Sequence, residues 1–252
     1  MPHRYGVRRQ AGGPSGGAAV PGGGGTSSLL TGLVSAYTYE NAGNLGRDSF
    51  GTNHLTNNNA ATQVTGRVSK GVDVDGVNQS LSIASNASLV VAGTSWELTT
   101  WWNPSTLPGA GFFPGIVGKW GAGSLEYVLY YDGTASRITG RASANGVADV
   151  AVDHANAPSV GVWHFLDLYF DRPNQLLHLR VNDAPATGTA SVALTDTFAG
   201  TSAFSIGVTA FGAPFLDGVV DCTDLRKRLL TPLERTELYN NFAGREYPYP
   251  GT

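Results

Sequence analysis

The sequence predicts an all-β fold, a two-sheet sandwich closed by one short C-terminal helix, and three observations carry that prediction. From about residue 30 the apolar positions recur every second residue. Glycine and asparagine turns separate the runs. One stretch alone, "LTPLERTELYNNFAG" (230–244), carries the markings of a helix start.

The chain opens on an irregular glycine-rich arm, residues 1–28. Nine of its first 25 residues are Gly and three are Pro, too little apolar surface to build a core. Its charges are Arg4, Arg8 and Arg9, beside Tyr5, so the arm is basic while the net charge of the whole chain is −3. Attraction between this arm and an acidic body suits it to anchoring, either to another copy of the chain or to other proteins of an assembly.

The body, residues 29–245, reads as about twelve short strands. "GLVSAYTYE" (32–40), "VDVDG" (72–76), "SLSIAS" (80–85) and "SWELTTWW" (95–102) come first. "GIVGKW" (115–120), "LEYVLYY" (125–131) and "SRITGRAS" (136–143) follow. "VWHFLDLYFD" (162–171) is apolar on both faces, as a central strand would be, and "DRPN" turns it into "QLLHLRVND" (175–183). His164 and His178 could face each other across that hairpin, as a packed or hydrogen-bonded pair rather than a zinc site. "FSIGVTAF" (204–211) and "FLDGVVDCTDL" (215–225) complete the set.

The helix is predicted from its cap. Thr231 suits the N-cap, Pro232 the first helical position and Glu234 the third, a capping box. Leu238, Tyr239 and Phe242 share a face, and Gly244 is the expected stop. So short a helix is marginal in water and has to dock on the sandwich. Residues 246–252 are read as an extended tail.

Composition excludes several functions. The single cysteine, Cys222, permits no internal disulfide and no thiolate metal cluster. No run of eighteen apolar residues marks a membrane helix, and no apolar stretch follows the basic N-terminus to make a secretory signal. The acidic body has no basic stripe for nucleic acid. The six Glu, at 40, 97, 126, 234, 237 and 246, form no pair on one strand face of the kind that flanks a glycosidic bond. An enzyme is therefore not expected.

The ordered set of segments resembles a known family. Phe215, Gly218, Asp221, Arg228, Leu230, Thr231, Glu234, Leu238 and Tyr239 follow the closing pattern of laminin-G-like jelly rolls in the concanavalin A-like lectin/glucanase superfamily. "GLVSAYTYE", "DSFGTNHLT" (48–56), "GVDVDGVNQSLSI" (71–83), "SWELTTWW", "GIVGKW" and the "VWHFLDLYFD" hairpin match its earlier segments in order, over about residues 30–245. The resemblance implies jelly-roll topology. It implies a Ca²⁺ near Asp48, Asn53 and Asp221, although Cys222 stands where the family commonly has an acid. It also implies glycan binding, for which Trp101, Trp102, Trp120, Tyr130 and Tyr131 are the aromatic candidates.

Two functional readings stay open. One is a non-enzymatic structural subunit of a large assembly, a bacteriophage or virus particle protein such as a surface decoration, fibre or appendage. It would sit on the virion, held through Arg4, Tyr5, Arg8 and Arg9, and could also adhere to cell-surface glycan; without the particle, the missing signal places it in the cytoplasm. The other is a stand-alone carbohydrate-binding module, Ca²⁺-dependent if the resemblance extends that far.

Overall fold

The computed structural model describes residues 27–182, 185, 187–190 and 194–249. Arg4, Tyr5, Arg8 and Arg9 of the predicted arm lie outside the described residues. A 3-10 turn at Ser28–Leu30 precedes β1 (Leu33–Tyr37), β2 (Thr56–Asn58), β3 (Thr62–Thr65), β4 (Lys70–Asp75) and β5 (Ser80–Ile83). Next come β6 (Trp96–Pro104), β7 (Gly115–Gly121), β8 (Ser124–Asp132), β9 (Arg137–Ser143) and β10 (Asp149–Asp153). The chain continues with β11 (His164–Asp171), β12 (Leu176–Val181), β13 (Thr187–Ala190), β14 (Phe204–Ile206), β15 (Asp217–Arg226) and helix α1 (Pro232–Tyr239).

These strands form two antiparallel sheets, one ordered β13-β12-β11-β6-β15-β4-β3 with β1 also on β15, the other β10-β9-β8-β7-β14-β5-β2. β15 holds the first sheet together. One edge pairs with β6, while the other takes β4 along Asp217–Val220 and β1 along Thr223–Arg226. The changeover is a bulge at Asp221–Asp224, where Cys222 adopts φ 46°. Asp221 fills the gap by accepting the Val68 N–H at 2.8 Å.

The inter-sheet core is built from alternate residues of each strand, with Val72 and Val74, Leu98, Leu129 and Tyr131, and Leu166, Leu168 and Phe170 all buried. β11 is covered on both faces, as its double apolar pattern predicts: Phe165 belongs to a second cluster on the outer side. The alternation did not mark β2, β3, β10 and β13. β2 is Thr-Asn-Asn, with no apolar residue to alternate, and β10 sits amid Ala, Gly and Asn. The strand expected over 204–211 stops at Ile206, because Gly207 turns to φ +85° and the chain leaves the sheet. His164 and His178 are not cross-strand partners: His164 lies opposite Trp102, and His178 opposite Tyr169, on whose ring it stacks at 4.6 Å.

The capping box forms as predicted. The Thr231 N–H donates to Glu234 Oε2 at 2.7 Å, and Glu234 N–H donates back to Thr231 Oγ1 at 3.3 Å. The helix stops before Gly244, at Asn240 in the left-handed conformation. Its apolar side docks on the outer face of the eight-stranded sheet, where Tyr239 stacks on Trp101 at 5.9 Å and Phe242 meets the same ring edge-on at 5.4 Å. The following segment continues the cover: Tyr249 is buried in the same cluster and donates its hydroxyl to Asp224. Trp101→Ala should therefore lower unfolding free energy by about 3–5 kcal/mol, measured by denaturant titration, with far-UV circular dichroism still reporting a sheet protein.

Candidate functional site

The alternation of β6 decides where its two tryptophans go. Trp102 points into the inter-sheet core against Tyr131, at 6.2 Å, and Tyr131 is itself a core residue. Trp101 points outward, but Tyr239, Phe165 and Phe242 enclose it and the Arg67 guanidinium lies 5.4 Å from its ring. Trp101, Trp102 and Tyr131 thus offer no open ring face. The expectation of a sugar platform on them is corrected by the core on one side and by α1 on the other.

Trp120 and Tyr130 have a different fate. With Leu125 and Val128 they form a separate cluster on the outer face of the seven-stranded sheet. Together with Arg141 they floor an open pocket of about 340 Å³, walled by Phe113 and by the loop Thr209–Pro214. The floor rings are largely covered, and the open aromatic surface comes from the walls: Phe113 is 42% and Phe211 56% exposed. Phe113 meets Tyr130 edge-on at 6.2 Å, and the Arg141 guanidinium sits 5.2 Å from the Tyr130 ring. Burial pushes the Tyr130 phenol above its ordinary value, so the ring stays neutral. Sequence reasoning missed Phe113, Phe211 and Arg141. The exposed phenylalanines in "GAGFFPG" and "TAFGAP", glycine- and proline-rich segments that cannot bury them in a strand, were the available signal.

The predicted calcium ligands are committed elsewhere. Asp48 Oδ1 accepts the N–H groups of Ala36, Phe50 and Gly51, and its Oδ2 accepts that of Asn53. Gly51 is required here, since a Cβ would lie 2.6 Å from the Val34 carbonyl and 2.7 Å from Asp48 Oδ2. Asn53 donates to Ser35 and accepts from Asn86 and Ser88. Asp221 shares no hydrogen-bond partner with Asp48: it accepts from Val68 and from its own neighbour, Cys222. It groups instead with the Cys222 thiol and Glu246, their ligand atoms all within 4.8 Å of one another. A carboxylate saturated by four N–H donors and another beside a soft sulfur do not fit a hard ion that takes six to eight oxygens. The donor set is not that of a calcium site.

One carboxylate pair does form between strands. Glu97 of β6 and Asp167 of β11 are both buried under α1, where Arg235 Nε lies 2.8 Å from Glu97 Oε1 and 3.1 Å from Asp167 Oδ2. Glu97 also accepts the Leu230 N–H at 2.6 Å. Burial raises Asp167 well above the usual carboxylate range, and neighbouring Glu97 adds to the rise. The pair is closed to solvent and is used to clamp the helix.

The family model of laminin-G-like domains in the concanavalin A-like lectin/glucanase superfamily matches residues 75–234, well over half of the chain. The chain belongs to that superfamily. No curated protein sequence matches it. Among solved structures, the binding domain of Paraclostridial Mosquitocidal Protein 1 is similar at TM-score 0.69 and 14% identity, over 84% of this chain and 52% of that one. The receptor-binding domain of the botulinum neurotoxin C/D mosaic serotype gives 0.67 and 8%, over 83% and 51%. Domain 4 of AbnA, a GH43 extracellular arabinanase from Geobacillus stearothermophilus solved with arabinotriose, gives 0.62 and 19%, over 81% and 97%. This chain spans about half the length of the toxin domains, and at these identities the likeness shows the superfamily fold alone. That fold is one used by lectin-like binding domains.

The Asp221–Glu246 contact has a measurable signature. Burial pushes Asp221 from its ordinary 3.8 to about 7, and burial with Glu40 and Asp221 nearby pushes Glu246 from 4.5 to about 8. Both are raised on folding, so their contribution is complete below the unfolded values and is lost as pH rises through 7 and 8. Glu234, held down to about 2 by hydrogen bonding to Arg228, acts oppositely and loses its contribution only as pH falls from 4.5 toward 2. Thermal melts should therefore show Tm falling from about pH 4 to about pH 8 and levelling off above that. Glu246→Gln should flatten that fall; an unchanged slope would contradict the assignment.

Proposed function

We propose that the sandwich is a non-catalytic carbohydrate-binding module that holds a sugar in the aromatic pocket on the outer face of its seven-stranded sheet. The observation that carries this reading is the pair of exposed phenylalanines, Phe113 and Phe211, standing over a floor of Trp120 and Tyr130 with Arg141 at its edge. Sugars present apolar C–H faces to such rings while one or two polar groups fix their orientation. The superfamily fold supports the reading, as does a neighbouring arabinanase domain solved with arabinotriose. The occluded Glu97–Asp167 pair supports a binding rather than a hydrolytic role.

A glycan array followed by titration calorimetry tests it. Phe211→Ala should weaken binding of the best array ligand about tenfold, the equivalent of about 1.4 kcal/mol, without lowering Tm. Retained affinity in that variant would place the site elsewhere.

A second reading, the particle subunit anchored on a virion through Arg4, Tyr5, Arg8 and Arg9, rests on the basic glycine-rich arm and the acidic body. Light scattering compares the full chain with residues 26–252. A defined oligomer that becomes monomeric on truncation supports anchoring through the arm; an oligomer unaffected by truncation argues against it.

A further inference from the structure

We infer that the pocket selects neutral sugars over acidic ones, and that Asp149 sets this selectivity by neutralising Arg141. The inference rests on the reading of the pocket as a sugar site and adds the class of sugar. Among the described residues, Arg141 is the one charged residue lining the pocket. An arginine stacked at the edge of an aromatic floor is by itself a fork for carboxylates, which it binds through two parallel N–H donors. Here one arm of the fork is already engaged, Arg141 Nη1 lying 3.2 Å from Asp149 Oδ2, while its Nε is buried and makes no hydrogen bond.

The pairing follows from the register. β10 runs antiparallel to β9, with Ala151 opposite Arg141 and Val150 opposite Ala142. Ile138 and Ala142 of β9 and Val152 of β10 face the core, so Arg137, Thr139 and Arg141, with Asp149, Ala151 and Asp153, face outward beside the pocket. The second arginine of this face is matched in the same way, Arg137 Nη2 lying 2.8 Å from Asp153 Oδ2, and Thr139 also donates to Asp153 at 2.8 Å. Beyond the aromatic floor, then, lies a shelf along the edge of the sheet whose two cations are each paired with a carboxylate. Asp132, opposite Arg137 at the end of β8, adds a third carboxylate, so this face carries no excess of positive charge.

Such a shelf treats hydroxyls and carboxylates differently. A hydroxyl donates as well as accepts, so it can join an arginine–aspartate pair without breaking it. A carboxylate only accepts. It must displace Asp149 from the guanidinium, or lie beside it with like charge, and it gains no net attraction in return.

The test uses an array of matched oligosaccharides, each neutral glycan printed beside its uronate- or sialate-bearing counterpart, probed with wild-type protein, Asp149→Asn, Arg141→Met and Phe211→Ala. Melting curves confirm that each variant is folded. The expected result is wild-type binding to neutral members at least tenfold tighter than to their acidic counterparts. Asp149→Asn should raise affinity for the acidic members about tenfold relative to their neutral counterparts. Arg141→Met should abolish that gain when combined with Asp149→Asn. A wild-type preference for acidic members, or an Asp149→Asn variant whose acidic binding does not rise, overturns the selectivity while leaving the pocket a sugar site if Phe211→Ala still weakens binding. Wild-type protein that binds no glycan, or binds one independently of Phe211, overturns the pocket reading itself and this inference with it.

Discussion

Strand alternation at β6 is the constraint on which the rest of the molecule depends. Successive side chains of a strand go to opposite faces, so Trp101 and Trp102 cannot share a layer. Trp102 locks the two sheets together. Trp101 is left as a large apolar surface on the outer side of the eight-stranded sheet, where water would meet it. The described residues C-terminal to β15 answer that exposure: the capped helix, the Asn240 turn and the residues through Tyr249 lie across the outer face and bury Trp101 with Phe165 and Cys222. The ionic clamp of Arg235 on Glu97 and Asp167 fixes the angle at which the helix lies.

That solution makes the two outer faces unequal. The face carrying Trp101 is sealed, and its acids are spent on holding the cover. The outer face of the seven-stranded sheet carries no helix among the described residues, and its aromatic cluster lies at the bottom of an open pocket with loop phenylalanines around it. Open aromatic surface therefore collects on one side because stability was secured on the other. The asymmetry also explains why a carboxylate pair can arise between strands of this superfamily fold without access to a substrate.

How much of this was legible follows from how each feature is encoded. The capping box was readable because Thr231, Pro232 and Glu234 act within four consecutive positions. The strands of the core were readable where large apolar residues alternate, as in β6, β8 and β11. β2 has no such residues and became visible only through its partner, β5. The aromatic candidates divided for a reason no local pattern contains: whether an outward-facing ring stays open depends on what a segment more than a hundred residues away lays over it, as Tyr239 does over Trp101 and nothing comparable among the described residues does over Phe211. Asp48 was correctly marked as special, but its four N–H partners come from a local turn and from β1, so the same residue that suggests a metal ligand serves as a turn anchor.

The position of β15 in the sheet bears on how the chain is made. Residues 217–226 lie between β6 on one side and β4 and β1 on the other, so three earlier strands lack a neighbour until this late segment has left the ribosome. Translation thus delivers most of the body before its central strand, with the edge of β6 and the Trp101 face bare. A sheet completed from its middle, by contacts distant in sequence, folds slowly and is exposed to pairing with other nascent chains in the interval. The interval before β15 emerges is the one in which unpaired strand edges invite misassociation, a burden set by strand order rather than by the stability of the finished sandwich.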